Sequence, residues 1–253
     1  MSRQTTSKSR VVNKWETELL RLTAFLSPEA KITGQAWWKD LVGDSPERII
    51  QSKIGGQQEE GLFEDRRLIL SVGPSRIDWI LATKQEEEEI IPLLGGFDGV
   101  IDPFLGLMRR WLEKCPQLLR LAFGSVLLQL VNDRESGYRQ LSKYLSSVKL
   151  NPKNSFDFLY QINRPRDSDL GVENLRINRL TKWSVASWKL AQMSIGHKSI
   201  NYPIGQERFA CRLELDINTM ADYPDELPEK KLPQIFQELV DLGKEIAIKG
   251  DIP

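Results

Sequence analysis

The sequence predicts an α+β fold of two related units, each a curved antiparallel sheet packed on one long amphipathic helix, a helix-grip-like pseudo-dimer. Three observations predict it. Segments that alternate apolar and polar residues follow one another, separated by Gly-, Pro- and Asp-rich turns. Each series closes on a segment whose apolar residues recur at helical spacing. The second half of the chain then echoes the plan of the first. With 253 residues, 40% of them hydrophobic, the chain is long enough to bury a substantial core. The expected division is a flexible arm at residues 1–10, an N-terminal α+β unit at 11–150 and a C-terminal unit at 151–253, packed as one globular body.

The elements follow in order. Residues 18–27, ELLRLTAFLS, are apolar on both phases and read as the first strand. Gly55-Gly56 and Gly61 mark a loop between further short strands. Residues 66–83 read as two strands about a Gly73-Pro74-Ser75 turn, with Ile77, Trp79 and Leu81 on one face and Asp78 on the other. Four consecutive glutamates, Glu86 to Glu89, repel one another and read as a solvated connector. Phe104, Leu105, Met108, Trp111 and Leu112 then give a helix, with Asp102 as its cap and Pro103 at its first position. Residues 118–131 are apolar on both phases and favour a buried central strand. Residues 132–147 read as a second helix, capped by Asn132 or Asp133, with Tyr138, Leu141 and Leu145 on one face.

In the second half Phe156, Phe158, Tyr160 and Ile162 alternate with polar residues. A Pro/Asp-rich turn leads into a long run, 174–195, in which Leu180 breaks the phase set by Leu175 and Ile177. That break predicts a bulge or bend near Arg179. A last strand places Leu213, Leu215 and Ile217 inward and Arg212, Glu214, Asp216 and Asn218 outward. Leu232, Ile235, Phe236, Leu239 and Val240 form one face of a closing helix, with Pro233 near its start.

The stretches GPSRIDWIL, RLAFGSVLLQLV and FACRLELDINT, the last followed by a terminal helix, resemble a sporadically distributed, largely uncharacterised family of bacterial proteins. That family carries a Leu-Asp-Ile-Asp/Asn strand before its last helix, here Leu215-Asp216-Ile217-Asn218, although the Pro-Pro-Ile opening is missing. The resemblance implies a two-unit α+β fold and a place in mobile or defence gene clusters. It implies no agreed activity and no catalytic residue.

Composition argues against several chemistries. Lys plus Arg and Asp plus Glu both number 35, so the chain lacks the basic excess of a nucleic-acid coat protein. No apolar run of about 18 residues predicts a membrane span, and a cytoplasmic location is expected. Cys115 and Cys211 are too few for a disulfide framework and read as buried free thiols. One histidine, His197, gives little material for a zinc site or a catalytic triad, and it reads as a loop residue. No phosphate-binding Gly-x-Gly-x-x-Gly or P-loop is present, and Ser125 lacks a nucleophile-elbow context. Neither a cofactor nor a metal is expected.

What remains is a polar group. Ile-Asn-Arg occurs twice, at 162–164 and 177–179, and Ile217-Asn218 adds a third Ile-Asn pair. The candidate binding residues are therefore Asn163, Arg164, Arg166, Arg176, Asn178, Arg179, Asp216 and Asn218. The first expectation is a non-catalytic binding protein that meets a protein partner through a polar sheet face, within a multi-component bacterial system of the defence type. A second is a nucleic-acid or nucleotide module using the Arg, Lys and Trp residues of 164–189, where guanidinium forks and Trp183 or Trp188 would hold phosphates and bases. A third is an enzyme with a pocket between the units that uses carboxylates and arginines such as Asp216 and Arg179. Glu214 and Asp216 share a strand face, but Arg212 beside them favours a solvated charge ladder.

Overall fold

A computed structural model describes residues 14–30, 32, 36–52, 55–84, 91–189 and 207–252. The expected arm at 1–10, the glutamate run and His197 lie outside the described residues. The first half runs from strand β1 (Glu16–Leu26) through a short helix α1 (Trp37–Val42) to β2 (Arg48–Gln51), β3 (Gln57–Phe63), β4 (Arg66–Val72) and β5 (Arg76–Ala82). A two-residue strand β6 (Gly95–Gly96) then leads into helix α2 (Phe97–Leu112). The second half runs β7 (Leu118–Val131), α3 (Arg134–Leu141), β8 (Leu159–Asn163), β9 (Arg166–Asp167), β10 (Arg176–Trp188), β11 (Arg208–Thr219) and α4 (Leu232–Lys249). A 3-10 turn, Glu229–Lys231, feeds α4.

The strands join in one antiparallel sheet of order β2-β3-β4-β5-β1-β7-β11-β10-β8, with β6 beside β1 and β9 beside β10. The protein is thus an α+β molecule dominated by antiparallel sheet. Its two longest-range pairings, β1 on β7 and β7 on β11, put the runs that are apolar on both phases at the centre. Outward from that centre the order is β1-β5-β4-β3-β2 on one side and β7-β11-β10-β8 on the other. Each half therefore begins at the middle, crosses to an edge, returns beside its own first strand and closes on a long helix.

The helices gather on one face. Gly243 of α4 lets Phe123 and Leu215 approach so closely that a Cβ there would meet the Phe123 ring at 2.9 Å. Gly137 of α3 sits against Val185 in the same way, at 2.8 Å. At the other end Trp38 of α1 lies over Gly61 and stacks at 6.3 Å on Trp79, which meets Trp111 of α2 edge-on. Trp38, Trp79, Trp111 and Trp183 are all buried core.

Several expected boundaries shift. Helix α2 begins at Phe97, with Gly96 as its cap, so Asp102 is not the cap and Pro103 lies inside the helix. The extra turn buries Phe97, Val100 and Ile101, which outweighs the backbone hydrogen bond that Pro103 forgoes. Of the two proposed caps for α3, Asp133 is the one used, in a reciprocal box with Ser136; Leu145 is buried just beyond the helix end. Phe156 precedes β8 and is largely exposed, beneath the Arg134 guanidinium at 3.8 Å. No bulge interrupts β10: its register with β11 runs unbroken from Ile177 to Trp188. The inward phase continues through Arg179 and Thr181 to Trp183, so a buried arginine occupies the position that sequence alone assigned to a bend.

Candidate functional site

Strand alternation fixes what the two Ile-Asn-Arg copies can do. With Ile162 and Ile177 toward the helices, each asparagine turns to the uncovered face and each following arginine turns back. Residues 163 and 178 are not directly opposite, because Asn163 faces Leu180 across the β8–β10 ladder. They are diagonal neighbours, within reach of one another. Asn163 Nδ2 donates to Asn178 Oδ1 at 2.8 Å, and Asn178 Nδ2 donates to Asn218 Oδ1 at 3.0 Å. Asn218 Nδ2 in turn donates to Asp216 Oδ1 at 2.9 Å. The three asparagines and Asp216 thus form one hydrogen-bonded row across β8, β10 and β11.

The row continues beyond the residues singled out in the sequence. Arg120 of β7 donates to Asn218 Oδ1 at 3.1 Å and to the Thr219 carbonyl at 3.2 Å. Its guanidinium lies 5.0 Å from the Phe25 ring of β1, which Arg76 of β5 also covers at 5.7 Å. Arg76 grips Asp78 through two bonds of 2.6 and 2.7 Å, and Thr23 donates to the same carboxylate. Hydrogen bonding to Asp78 holds the Arg76 pKa above its usual value. Six adjacent strands therefore share one polar row, roughly 24 Å across at ordinary strand spacing.

Beside this row the sheet face forms a hollow of about 380 Å³. Arg21, Gly124 and Asp216 stand side by side on β1, β7 and β11, in register. The Arg21 side chain lies over Gly124, where a Cβ would come within 3.2 Å of its Nε. Leu19, Val126 and Leu180 supply apolar wall, and Gln161 and Lys182 close the far side. Lys182 pairs with Glu214 at 3.1 Å and Arg212 pairs with the same carboxylate at 3.2 Å, the charge ladder expected of this strand.

The arginines of the repeat lie behind the sheet. Arg164 makes a two-pronged ion pair with Asp251, at 2.6 and 2.8 Å, just past the end of α4. Tyr160 donates to Asp251 as well, at 2.8 Å. Arg164 first, then Tyr160, holds the Asp251 carboxyl below its usual range despite burial. Arg179 donates through Nε to the Arg164 carbonyl at 2.8 Å, and burial lowers its pKa. Arg166 binds Asp169, while Arg176 faces Asp167 at 3.4 Å on the rim. Of the eight candidate residues, Asn163, Asn178, Asp216 and Asn218 converge on the open face. Arg164, Arg166 and Arg179 gather on the other, and Arg176, on the open-face phase, pairs with Asp167 at the rim outside the row. Asp216 and Arg179 are separated by the thickness of the sheet, so they do not share a pocket.

No family model, curated protein or solved structure matches the chain. Its chemistry is read from its own residues. The 164–189 group does not form one surface: Trp183 is fully buried and bonds Thr181, and Lys182 is paired across the opposite face. Cys115 and Cys211 are free, and burial pushes both thiols up to about 12. Among the described residues no three His, Cys, Asp or Glu side chains converge as a metal-ligand set, and no helix is long and apolar enough to cross a membrane. Sequence reading missed Arg21, Phe25, Arg76 and Arg120 as members of the open face. A signal was present for one of them: a glycine within an apolar strand, Gly124, marks a place where another group approaches the backbone.

Proposed function

We propose that this chain is a non-catalytic binding protein whose open sheet face receives a protein partner. The observation that carries this reading is the Asn163–Asn178–Asn218–Asp216 row. Its amides are locked by one another, so they are already ordered before any partner arrives and lose little freedom on binding. Asn163 and Asn178 still have donor or acceptor capacity facing outward, while Asn218 is buried and anchors them. A row of amides ending on the Asp216 carboxylate suits the backbone and polar side chains of a protein better than it suits a phosphate backbone. The two arms of the sheet are, in the same proposal, duplicated helix-grip units joined between α2 and β7, which assigns β7 and α3 to the second unit. A place in a multi-component bacterial system, as the family it resembles implies, follows from that reading.

The test is site-directed photocrosslinking of the full chain in bacterial cells. A photoreactive residue at Gln161 on the open face is expected to capture one defined protein, identified by mass spectrometry, and the same residue at Gln234 on α4 is not. The Asn163→Ala, Asn178→Ala double variant should lose the crosslink while keeping its circular dichroism. Capture of nucleic acid at Gln161, or of the protein at Gln234 alone, would overturn the reading.

A further inference from the structure

The hollow beside the polar row contains a cation without a partner. On the centre of the open face Arg76 is held by Asp78, Arg120 by Asn218 and a carbonyl, and Lys182 and Arg212 by Glu214. Arg21 alone among these described cations has neither a hydrogen bond nor an ion pair, and its Nε is shut off from solvent. A charged donor left unsatisfied in a partly buried setting is costly, and native proteins keep such groups where something else completes them. The absence of a side chain at Gly124 is what lets the flat guanidinium lie on the sheet, with its outer edge toward the hollow. Asp216 lines the same hollow with one oxygen on Asn218 and the other unbonded. It forms no ion pair within 4 Å among the described residues.

An arginine fork and a carboxylate acceptor, side by side over a glycine and walled by leucines, are complementary to a ligand with the reverse pattern. We propose that the hollow binds a carboxylate flanked by an N–H donor and a small apolar group. That is the chemistry shared by the C-terminal residue of a peptide and by a free α-amino acid. The carboxylate meets Arg21 in a two-pronged pair, with Gln161 as a further donor. The adjacent N–H is received by Asp216, and the side chain rests against Leu19 and Leu180. A volume of about 380 Å³ holds one or two such residues. This inference rests on the open face being the recognition surface.

The experiment is calorimetric titration of the full chain with four probes: acetyl-Ala-Leu, its C-terminal amide, free leucine and sodium acetate. Saturable binding of acetyl-Ala-Leu or leucine is expected, whichever is tighter naming the source, with the amide at least ten-fold weaker. Acetate, which lacks the N–H, should be at least ten-fold weaker too. Arg21→Gln is expected to abolish binding with a melting temperature no lower than the wild type's. Should R21Q not fold, Arg21→Lys, which keeps the charge and loses the planar fork, must weaken binding at least ten-fold. Equal binding of acid and amide, acetate as tight as the peptide, or no saturable binding by any probe would overturn the pocket. If the probes fail while the Gln161 crosslink to a protein persists, the pocket alone is wrong. If the crosslink fails while a probe binds through Arg21, the protein-partner reading is the one that falls.

Discussion

The two faces of the sheet use polar groups in opposite ways, and the Ile-Asn-Arg copies show it within three residues. Behind the sheet, Arg164 and Asp251 form one strong, shielded pair that ties the end of α4 to the edge strand. In front, Asn163, Asn178 and Asn218 share neutral hydrogen bonds between strands, and Asn163 and Asn178 still present groups outward. Where water is excluded a charge must be matched by a counter-charge, and the geometry becomes singular. Where water has access, modest bonds suffice, and the groups stay available to a partner. The helix face thus holds its charges in a fixed pair, and the open face holds its amides in a row that water can reach.

The sharpest contrast is between two phenylalanines on neighbouring strands. Phe123 is fully buried beneath α4, edge-on to Phe236 at 6.1 Å. Phe25 lies on the open face under Arg76 and Arg120. Phe123→Ala should cost about 4 kcal/mol, because a cavity opens in a packed core. Phe25→Ala should cost about 1 kcal/mol, since water fills the space left and mainly the cation–π contacts are lost. Urea denaturation of both variants measures the pair of values. Equal costs would mean that the open face is packed as tightly as the core.

The Asp251 cluster comes next. Its side chain is only 3% exposed, so Asp251→Ala strands Arg164 and the Tyr160 hydroxyl and should cost about 3 kcal/mol. The same carboxyl also predicts a pH dependence. Its folded pKa is depressed, chiefly by Arg164, so the pair's contribution is complete above the ordinary carboxylate range. It is lost as pH falls from that range through the lower folded value. Acid titration of the melting temperature should therefore be steeper for the wild type than for Asp251→Asn below about pH 4. Parallel curves would show that the pair does not hold the end of α4.

Much of this was legible in the sequence, for physical reasons that also explain what was not. Residues 118–131 were readable as a central strand because apolar side chains on both phases are needed only where both faces are covered or crowded. Leu213, Leu215 and Ile217 gave their face directly by alternation. Arg179 misled because an arginine at an inward position looks like a phase break until its carbonyl partner at Arg164, on another strand, is seen. Pro103 misled because a proline suits a helix start, while the burial of Phe97 and Ile101 that overrides it is a tertiary fact. The open face was half legible. Its asparagines recur in the sequence, but Arg21, Phe25, Arg76 and Arg120 join them only through the β1–β7 and β1–β5 registers, which no local pattern encodes.

The smaller effects decide whether the open face is a row or a set of separate contacts. Asn178→Ala removes one donor to Asn218 and one acceptor from Asn163, at half-exposed positions where water compensates, so about 1 kcal/mol is expected. A double-mutant cycle with Asn218→Ala should return a coupling of at least about 0.5 kcal/mol, as directly bonded neighbours do. The Lys182–Glu214 pair two rungs away sets the baseline. Both side chains are about a third exposed, at 38% and 33%, and Glu214 is shared with Arg212. Its coupling should stay below about 0.5 kcal/mol and vanish in high salt. The asparagine coupling, between neutral groups, should survive the same salt. If both couplings disappear together, the row is held by charge rather than by amide geometry, and the face is not pre-ordered for a partner.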